Sequence, residues 1–506
     1  MTKFFPALRI CLAAMVCIVA GCVMVGPRYR PPTATPESLP SAYQEAPSAA
    51  RSSGDWAVAQ PSDAMLRGAW WTIFRDRELN SLEDKLAINN QNIKQFFENF
   101  MEARALAGEA SAQFYPTLTA NGSYTRSRMP PGLPAVAVMS SLNLSWEPDI
   151  WGKVRSAVLQ AQYNAQVSAA DLENERLSEQ ASLAVLFFQL RGQDALQKLF
   201  NDTIVADKRA LDYTTAQYQT GITDQIAVVE ATNTLQNAEA TATNLGVARA
   251  QYEHAIAVLV GNVASDFTLP VQALRVTPPP IPIGLPSQLL ERRPDVAATE
   301  RSMAAANAQV GIGYAAYYPS VTIGGENGFQ SIVTGSNAVF GTRAFKNLFD
   351  VHNHNWSIGP SVSETIFDAG LRGATIRQYV AVYNAAVASY RQTVLTAFQQ
   401  VEDYLAQERI LSVQIGQQRA AEQSAEKQLS LEMDRYKTGI DPYVDVVTAQ
   451  TTLLTDQQAV INVQVQQMTA AVQLIESLGG GWDRSQLPTP SQVARKPPNA
   501  ETKFQR

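Results

Sequence analysis

Two stretches in each half of the chain alternate apolar and polar side chains, and the long stretches between them do not. In 117–125, Leu118, Ala120, Gly122 and Tyr124 fall on one face, with Thr117, Thr119, Asn121, Ser123 and Thr125 on the other. In 138–146, Val138, Leu142, Leu144 and Trp146 oppose Asn143 and Ser145. In the second half Val321 and Ile323 oppose Thr322 and Glu326, and Trp356, Ile358 and Val362 oppose Ser357, Ser361 and Ser363. A period of two predicts four strands, each with one apolar face. A soluble sandwich gives this alternation, and so does a barrel with lipid outside and water inside. Four strands do not close a barrel, and an open edge in lipid leaves backbone groups unpaired at several kcal/mol each. A membrane barrel would therefore be shared between subunits, eight strands from two or twelve from three.

The remaining pattern is helical. Residues 153–218 contain no proline and one glycine, Gly192, which at ~1.5 Å per residue predicts a helix of about 100 Å. Residues 225–259 are also free of proline, and Leu235, Ala238, Ala242, Leu245, Tyr252, Ile256 and Leu259 form a seam that Arg249 interrupts. Alanines such as Ala161, Ala165, Ala169 and Ala170 allow close helix approach. A set of Ala- and Gln-rich helices with a weak apolar stripe suits a wall with water on both sides.

These elements occur twice. Tyr218-Gln219-Thr220-Gly221 returns 218 positions later as Tyr436-Lys437-Thr438-Gly439, and the pairs Gly152/Gly370 and Gly261/Gly479 share that offset. Phe114-Tyr115-Pro116 matches Tyr317-Tyr318-Pro319 at an offset of 203, so the second strand pair carries 15 additional residues. A length change of that kind belongs in a loop.

Composition narrows the setting. The 18 Phe, 17 Tyr and 7 Trp among 506 residues exclude a disordered chain. A net charge of −6 argues against a nucleic-acid partner. Past residue 21 no uncharged apolar run approaches the ~20 residues of a membrane helix. Residues 1–21 carry Lys3 and Arg9, then an apolar run over 10–20, which is the pattern of a signal peptide. Cys11 and Cys17 lie inside it, so a chain cut before Cys22 keeps one cysteine and forms no internal disulfide. Val19-Ala20-Gly21-Cys22 resembles the bacterial lipobox, which implies a lipid on Cys22. Several acyl chains give stable anchoring where one is marginal. Val23, where an aspartate would signal inner-membrane retention, points to the outer membrane.

Nearly the whole mature chain resembles the TolC-like outer membrane efflux family, in its NodT/OprM-like lipoprotein branch. The resemblance rests on Cys22 with Gly26-Pro27-Arg28-Tyr29, on Trp70-Trp71-Thr72-Ile73-Phe74 with Leu79 and Leu82, and on Trp146-Glu147-Pro148-Asp149-Ile150-Trp151-Gly152. It rests also on the hinge Gly284-Leu285-Pro286-Ser287-Gln288-Leu289-Leu290-Glu291-Arg292-Arg293-Pro294-Asp295-Val296 and the two Tyr-x-Thr-Gly turns.

The resemblance implies an α+β membrane protein: a homotrimer with a twelve-stranded outer-membrane β-barrel, four strands per subunit. A long α-helical periplasmic barrel of twelve columns and an equatorial belt complete it. The expected division is signal peptide 1–21, lipidated tether 22–64, first repeat 65–261 with strands at about 114–149, and equatorial linker 262–290. The second repeat follows at 291–482 with strands at about 317–367, then a tail at 483–506. Loops near 129–135 and 332–353 would face outside the cell. The partners implied are a periplasmic adaptor, an inner-membrane resistance-nodulation-division pump and outer membrane lipid. The cargo implied is small amphiphilic toxicants, including antibiotics. Export of a protein, or of metal ions, would use the same fold.

No catalytic constellation stands out, and the expectation is a duct that performs no bond chemistry and needs no cofactor beyond the lipid on Cys22. His352-Asn353-His354 has no carboxylate or cysteine cluster to complete a metal site and reads as a solvated loop. Gly479-Gly480-Gly481 lacks the lysine and helix of a phosphate loop and reads as a helix stop. The tip is the functional candidate. Asp441 and Asp445, four apart, would share a helix face, and under threefold symmetry each would form a carboxylate ring at the entrance. Aspartates at these positions match constrictions in relatives. A helix cap at Asp441 and a solvated first-turn acid at Asp445 is the plainer reading. The first repeat carries Thr223-Asp224 at this point, so the gate reading implies an asymmetric tip with an inner and an outer hairpin. Tyr218, Gly221, Tyr436 and Gly439 are the expected adaptor-contact residues.

Overall fold

The computed structural model describes residues 24–34, 43–45, 68–129, 133–274, 278–281, 289–338 and 342–493. The expected signal peptide and Cys22 lie outside these residues.

After a 3-10 turn at Trp70–Phe74 come α1 (Arg77–Asn89) and α2 (Gln91–Ala112), then strands β1 (Thr117–Met129) and β2 (Leu133–Trp146). Helices α3 (Lys153–Gln219) and α4 (Gln225–Leu259) complete the first half. The second half runs α5 (Pro294–Ala315), β3 (Ser320–Thr334), β4 (His354–Ser363), α6 (Leu371–Lys437) and α7 (Tyr443–Ser477). Helices α3 and α6 differ by 218 at both ends, as do α4 and α7, so the repeat is one of structure as well as sequence. At 67 residues each, α3 and α6 are about 100 Å long.

Each long helix starts at a left-handed glycine. Gly152 has φ 82° and Gly370 φ 87°. The orphan N–H groups beyond Gly152 go to Asp149, whose carboxylate accepts from Val154 N at 3.0 Å and Arg155 N at 2.9 Å. Asp368 does the same for Gly370 N and Arg372 N.

The shorter helices stack end to end into two further columns. A Cβ at Gly261 would lie 2.7 Å from the Asn89 carbonyl oxygen, and Asn90 Nδ2 donates to Leu259 O at 3.0 Å, so α4 continues into α2. A Cβ at Gly479 would lie 2.0 Å from Arg292 O, and Arg293 Nη1 donates to Ser477 O at 3.0 Å, so α7 continues into α5. The Gly479-Gly480-Gly481 run is thus a helix stop with positive φ at all three residues.

The main core lies halfway along the columns. Trp70, Phe74, Leu79, Leu82 and Leu86 are buried against Phe187 and Phe188 of α3 and Met468 and Ile475 of α7. The Phe74 and Phe188 rings are 5.0 Å apart. Each such side chain contributes about 1.5–3 kcal/mol by leaving water. Arg249, which interrupts the apolar seam of α4, is satisfied here: it donates to Asp194 at 2.7 Å, Glu253 at 3.0 Å and Leu269 O at 2.8 Å. Asp194 also pairs with Arg191, which reaches Glu78 and Pro270 O.

The described part of the tether borrows the helices' core. Val25 N donates to Trp151 O at 3.1 Å, Tyr29 Oη donates to Glu300 at 2.5 Å, and Tyr43 is buried beside Phe398. The tail to residue 493 is docked too, with Val493 buried against Ala107 and Ala165.

The four strands form one antiparallel sheet in the order β1-β2-β3-β4. They are longer than the alternation suggested: all of 133–135 and all of 332–334 are strand, and the 332–353 segment contains a short helix, Thr342–Lys346. The pairings Leu118↔Leu144, Trp146↔Ile323 and Gly325↔Ile358 put Leu118, Leu142, Leu144, Trp146, Ile323, Trp356, Ile358 and Val362 on one face. Leu118, Leu142, Trp356, Ile358 and Val362 are all exposed there. β1 and β4 are edges without a partner strand among the described residues. No helix among the described residues is long and apolar enough to cross a membrane.

Candidate functional site

The ends of the columns remote from the sheet are two closed turns built alike. In the first, Ile222 N donates to Gln217 O at 2.9 Å and Gly221 N to Tyr218 O at 3.0 Å. In the second, Ile440 N donates to Arg435 O and Gly439 N to Tyr436 O, both at 3.0 Å. This paired pattern ends a helix by a left-handed residue. Gly221 (φ 75°) and Gly439 (φ 73°) supply it, and a Cβ on either would meet nothing within 4 Å. Backbone conformation alone therefore requires glycine here. The threonine of each motif folds back, Thr220 Oγ1 on Ala216 O and Thr438 Oγ1 on Asp434 O, both at 3.1 Å.

The two tyrosines differ. Tyr218 is exposed, whereas Tyr436 is buried between the hairpins. Its hydroxyl donates to Gln217 Oε1 at 2.5 Å, and its ring meets Tyr213 at 6.2 Å and Tyr443 at 5.2 Å. Ala227, Ala231 and Val446 close the same small core. Tyr436 thus joins the first hairpin to the second and presents no outward surface.

The two aspartates differ as well. Asp441 precedes α7, which begins at Tyr443, so it does not share a helical face with Asp445. Nor does it cap the helix, whose N-cap is Pro442. Its carboxylate accepts from Arg435 Nη2 at 2.9 Å, and this hydrogen bond holds its pKa below the usual aspartate value. Asp445 is exposed in the first turn of α7. In the first repeat Asp224 does cap its helix, accepting from Ala227 N at 3.1 Å.

Sequence reasoning missed two residues. Arg435 could have been found, because the turn brings it back over the acid six positions on. Asp207 carried no signal: it sits in a polar, Ala-rich helix, yet it is buried and its Oδ2 has no hydrogen-bond partner. Burial raises its pKa from 3.8 to about 6. Tyr443, facing it, is pushed up to about 12, first by burial and then by the Asp207 charge.

The other candidates are scattered. His352 Nδ1 lies 2.8 Å from Asp350 Oδ1 and His354 Nε2 lies 2.9 Å from Asn327 Oδ1, so the two rings have separate partners. No group of three or more metal-ligating side chains occurs among the described residues. Cys22 is outside the described residues, but Met24 packs on Gly152, where β2 passes into α3.

A family model described as outer membrane efflux protein matches residues 82–262 and 285–480. The toluene efflux pump outer membrane protein TtgC of Pseudomonas putida is 28% identical over 481 residues, covering 93% of this chain and 95% of that protein. The outer membrane protein OprJ of Pseudomonas aeruginosa is 29% identical over 471 residues, covering 88% of this chain and 93% of its own length. Among solved structures, the outer-membrane channel OprN superposes with a TM-score of 0.79 at 25% identity, covering 91% of this chain and all of that one.

Proposed function

The chain belongs to the outer membrane efflux protein family, and from that premise we propose that three copies join their sheets edge to edge into one twelve-stranded barrel. The protein is the outer membrane exit duct of an efflux pump. The observation that carries closure between copies is the pair of open edges, β1 and β4, on a sheet with an exposed apolar face, and the number three follows the family. Left unpaired in lipid, each edge costs several kcal/mol per backbone group; paired between copies, both edges vanish. The helical columns below the sheet then line a tunnel about 100 Å long.

The duct is passive. Energy comes from an inner-membrane pump of the resistance-nodulation-division type, and a periplasmic adaptor seated on the tip turns joins the two. Its contacts are the exposed residues Tyr218, Gly221 and Gly439, with Tyr436 acting behind them as the strut between hairpins. The gate lies at the same end. Asp445 offers a free carboxylate, and opening the second hairpin has to carry or break the Asp441–Arg435 pair. A diacylglycerol-type lipid on Cys22 anchors the tether close to the sheet–helix junction, which suits the position of Met24. The cargo is small amphiphilic toxicants, including antibiotics; one relative is named for toluene, a small apolar solvent.

The deciding experiment is a clean deletion, profiled for toxicant sensitivity beside its secreted proteins. Hypersensitivity to solvents, dyes or antibiotics with secretion intact supports this reading; a missing secreted protein with unchanged sensitivity moves the duct to protein export. Purified Asp441→Ala/Asp445→Ala protein should leak more current than wild type in planar bilayers, and equal conductance refutes the gate. Cys22→Ala should lose the mass of the acyl groups.

A further inference from the structure

The segment joining β3 to β4 does not stand clear of the sheet. Its helix, Thr342–Lys346, folds down onto the apolar face at the end remote from the columns. Ala338, Ala344 and Leu348 bury Val136 and Val138, the Phe345 ring stacks on Tyr124 at 5.7 Å and 8°, and Phe349 meets Phe329 at 5.4 Å. Phe345 and Phe349 remain largely exposed beyond these contacts.

This aromatic ledge is ringed by cations. Arg126 pairs in register with Val136 and so lies on the same face, and Arg128 follows two positions on. Arg343 and Lys346 flank Ala344 and are exposed, as is Arg126. Within 117–146 and 320–363 these four are the only Lys or Arg residues, and all lie at this rim. The acids of the same segments are Glu326, mid-strand and on the opposite face, and Asp350, engaged by His352. A chain of net charge −6 thus collects its barrel-domain positive charge at one rim of one face.

We propose that this rim binds the phosphate-bearing headgroup of an anionic lipid of the outer leaflet, with its acyl chains lying on the apolar face below. The chemistry is two-part. Basic side chains beside a bilayer attract lipid phosphates, and arginine pairs with them through parallel hydrogen bonds. Exposed aromatic rings settle at the headgroup level, where one side is apolar and the other wet. A free anion would use the cations but would have no use for the ledge or for the apolar face beneath it.

The inference rests on the barrel reading in one respect, that the apolar face meets lipid. Its test uses the purified full-length protein in detergent, with diphosphoryl lipid A and the same lipid stripped of phosphate as probes, and bound lipid read by native mass spectrometry. Wild type should prefer the phosphorylated form. R126Q/R343Q/K346Q, all exposed positions, should bind it about a hundredfold more weakly while conducting as wild type in bilayers. Equal binding of the two lipids by wild type, or equal binding of lipid A by the variant, overturns the proposal. So does displacement by inorganic phosphate as effective as by added lipid A. A protein that conducts but shows no phosphate preference leaves the exit duct standing; one that never conducts removes the barrel reading and this inference with it.

Discussion

Replacing Asp207 by Asn should tighten the tip, and only above a defined pH. Asp207 is buried among the hairpins with one carboxylate oxygen unpartnered, and its folded pKa is raised from 3.8 to about 6 by desolvation. A raised carboxyl pKa means that the closed state holds a proton that the opened state gives up. Below about pH 4 both states are protonated and the group costs nothing; the cost grows between about pH 4 and 6 and then levels off. A rise from 3.8 to about 6 corresponds to at most about 3 kcal/mol at and above neutral pH, and to less where water screens the carboxylate. Desolvation acts on this carboxyl with no opposing pull from a neighbouring positive charge. Asn keeps the shape and removes the charge. Hydrogen exchange of the amides around 212–230 and 433–447 is the assay. At pH 7.5 the Asp207→Asn variant should show up to about a hundredfold more protection than wild type, and at pH 4 the two should agree to within about threefold. Equal protection at both values, or a gain at pH 4 only, would refute the burial argument. Such a tip is looser at neutral pH than its packing alone dictates, which suits the gate proposed there.

Gly221→Ala and Gly439→Ala should each destabilise the tip by about 1–2 kcal/mol through the left-handed backbone alone, measured as lost exchange protection there with the barrel amides unaffected. Tyr436→Phe removes the bond to Gln217 and should cost about 0.5–1.5 kcal/mol, read as a rise in leak conductance; a silent variant would mean that the rings alone hold the hairpins. Leu142→Arg, on the exposed apolar face, should cost about 2–4 kcal/mol if that face meets lipid and cut barrel assembly on heat-modifiability gels, whereas Asn143→Arg, on the other face, should assemble.

Much of this architecture is legible one residue at a time. The absence of proline over 153–218 fixes a helix that the structure ends at Gln219, because helix continuity is local. The offset of 218 reproduces four helix boundaries to the residue, since like sequence makes like local structure. Alternation found all four strands but undersold their length, because residues such as Ala135 and 332–334 gain their pairing from partners far along the chain.

The sequence alone determined the elements, their duplication, the glycine turns at the tip and the apolar face of the sheet, all of which follow from backbone preference and side-chain period over a few residues. Only the tertiary structure decided that Gly261 and Gly479 abut Asn89 and Arg292 to build composite columns, and that Arg249 is satisfied by Asp194. It alone separated buried Tyr436 from exposed Tyr218, tied Asp441 to Arg435, left the buried Oδ2 of Asp207 without a hydrogen-bond partner and laid the Thr342–Lys346 helix on the sheet. Each of these depends on which groups lose water together. That is a property of residues brought close by the fold, and no window along the chain contains it.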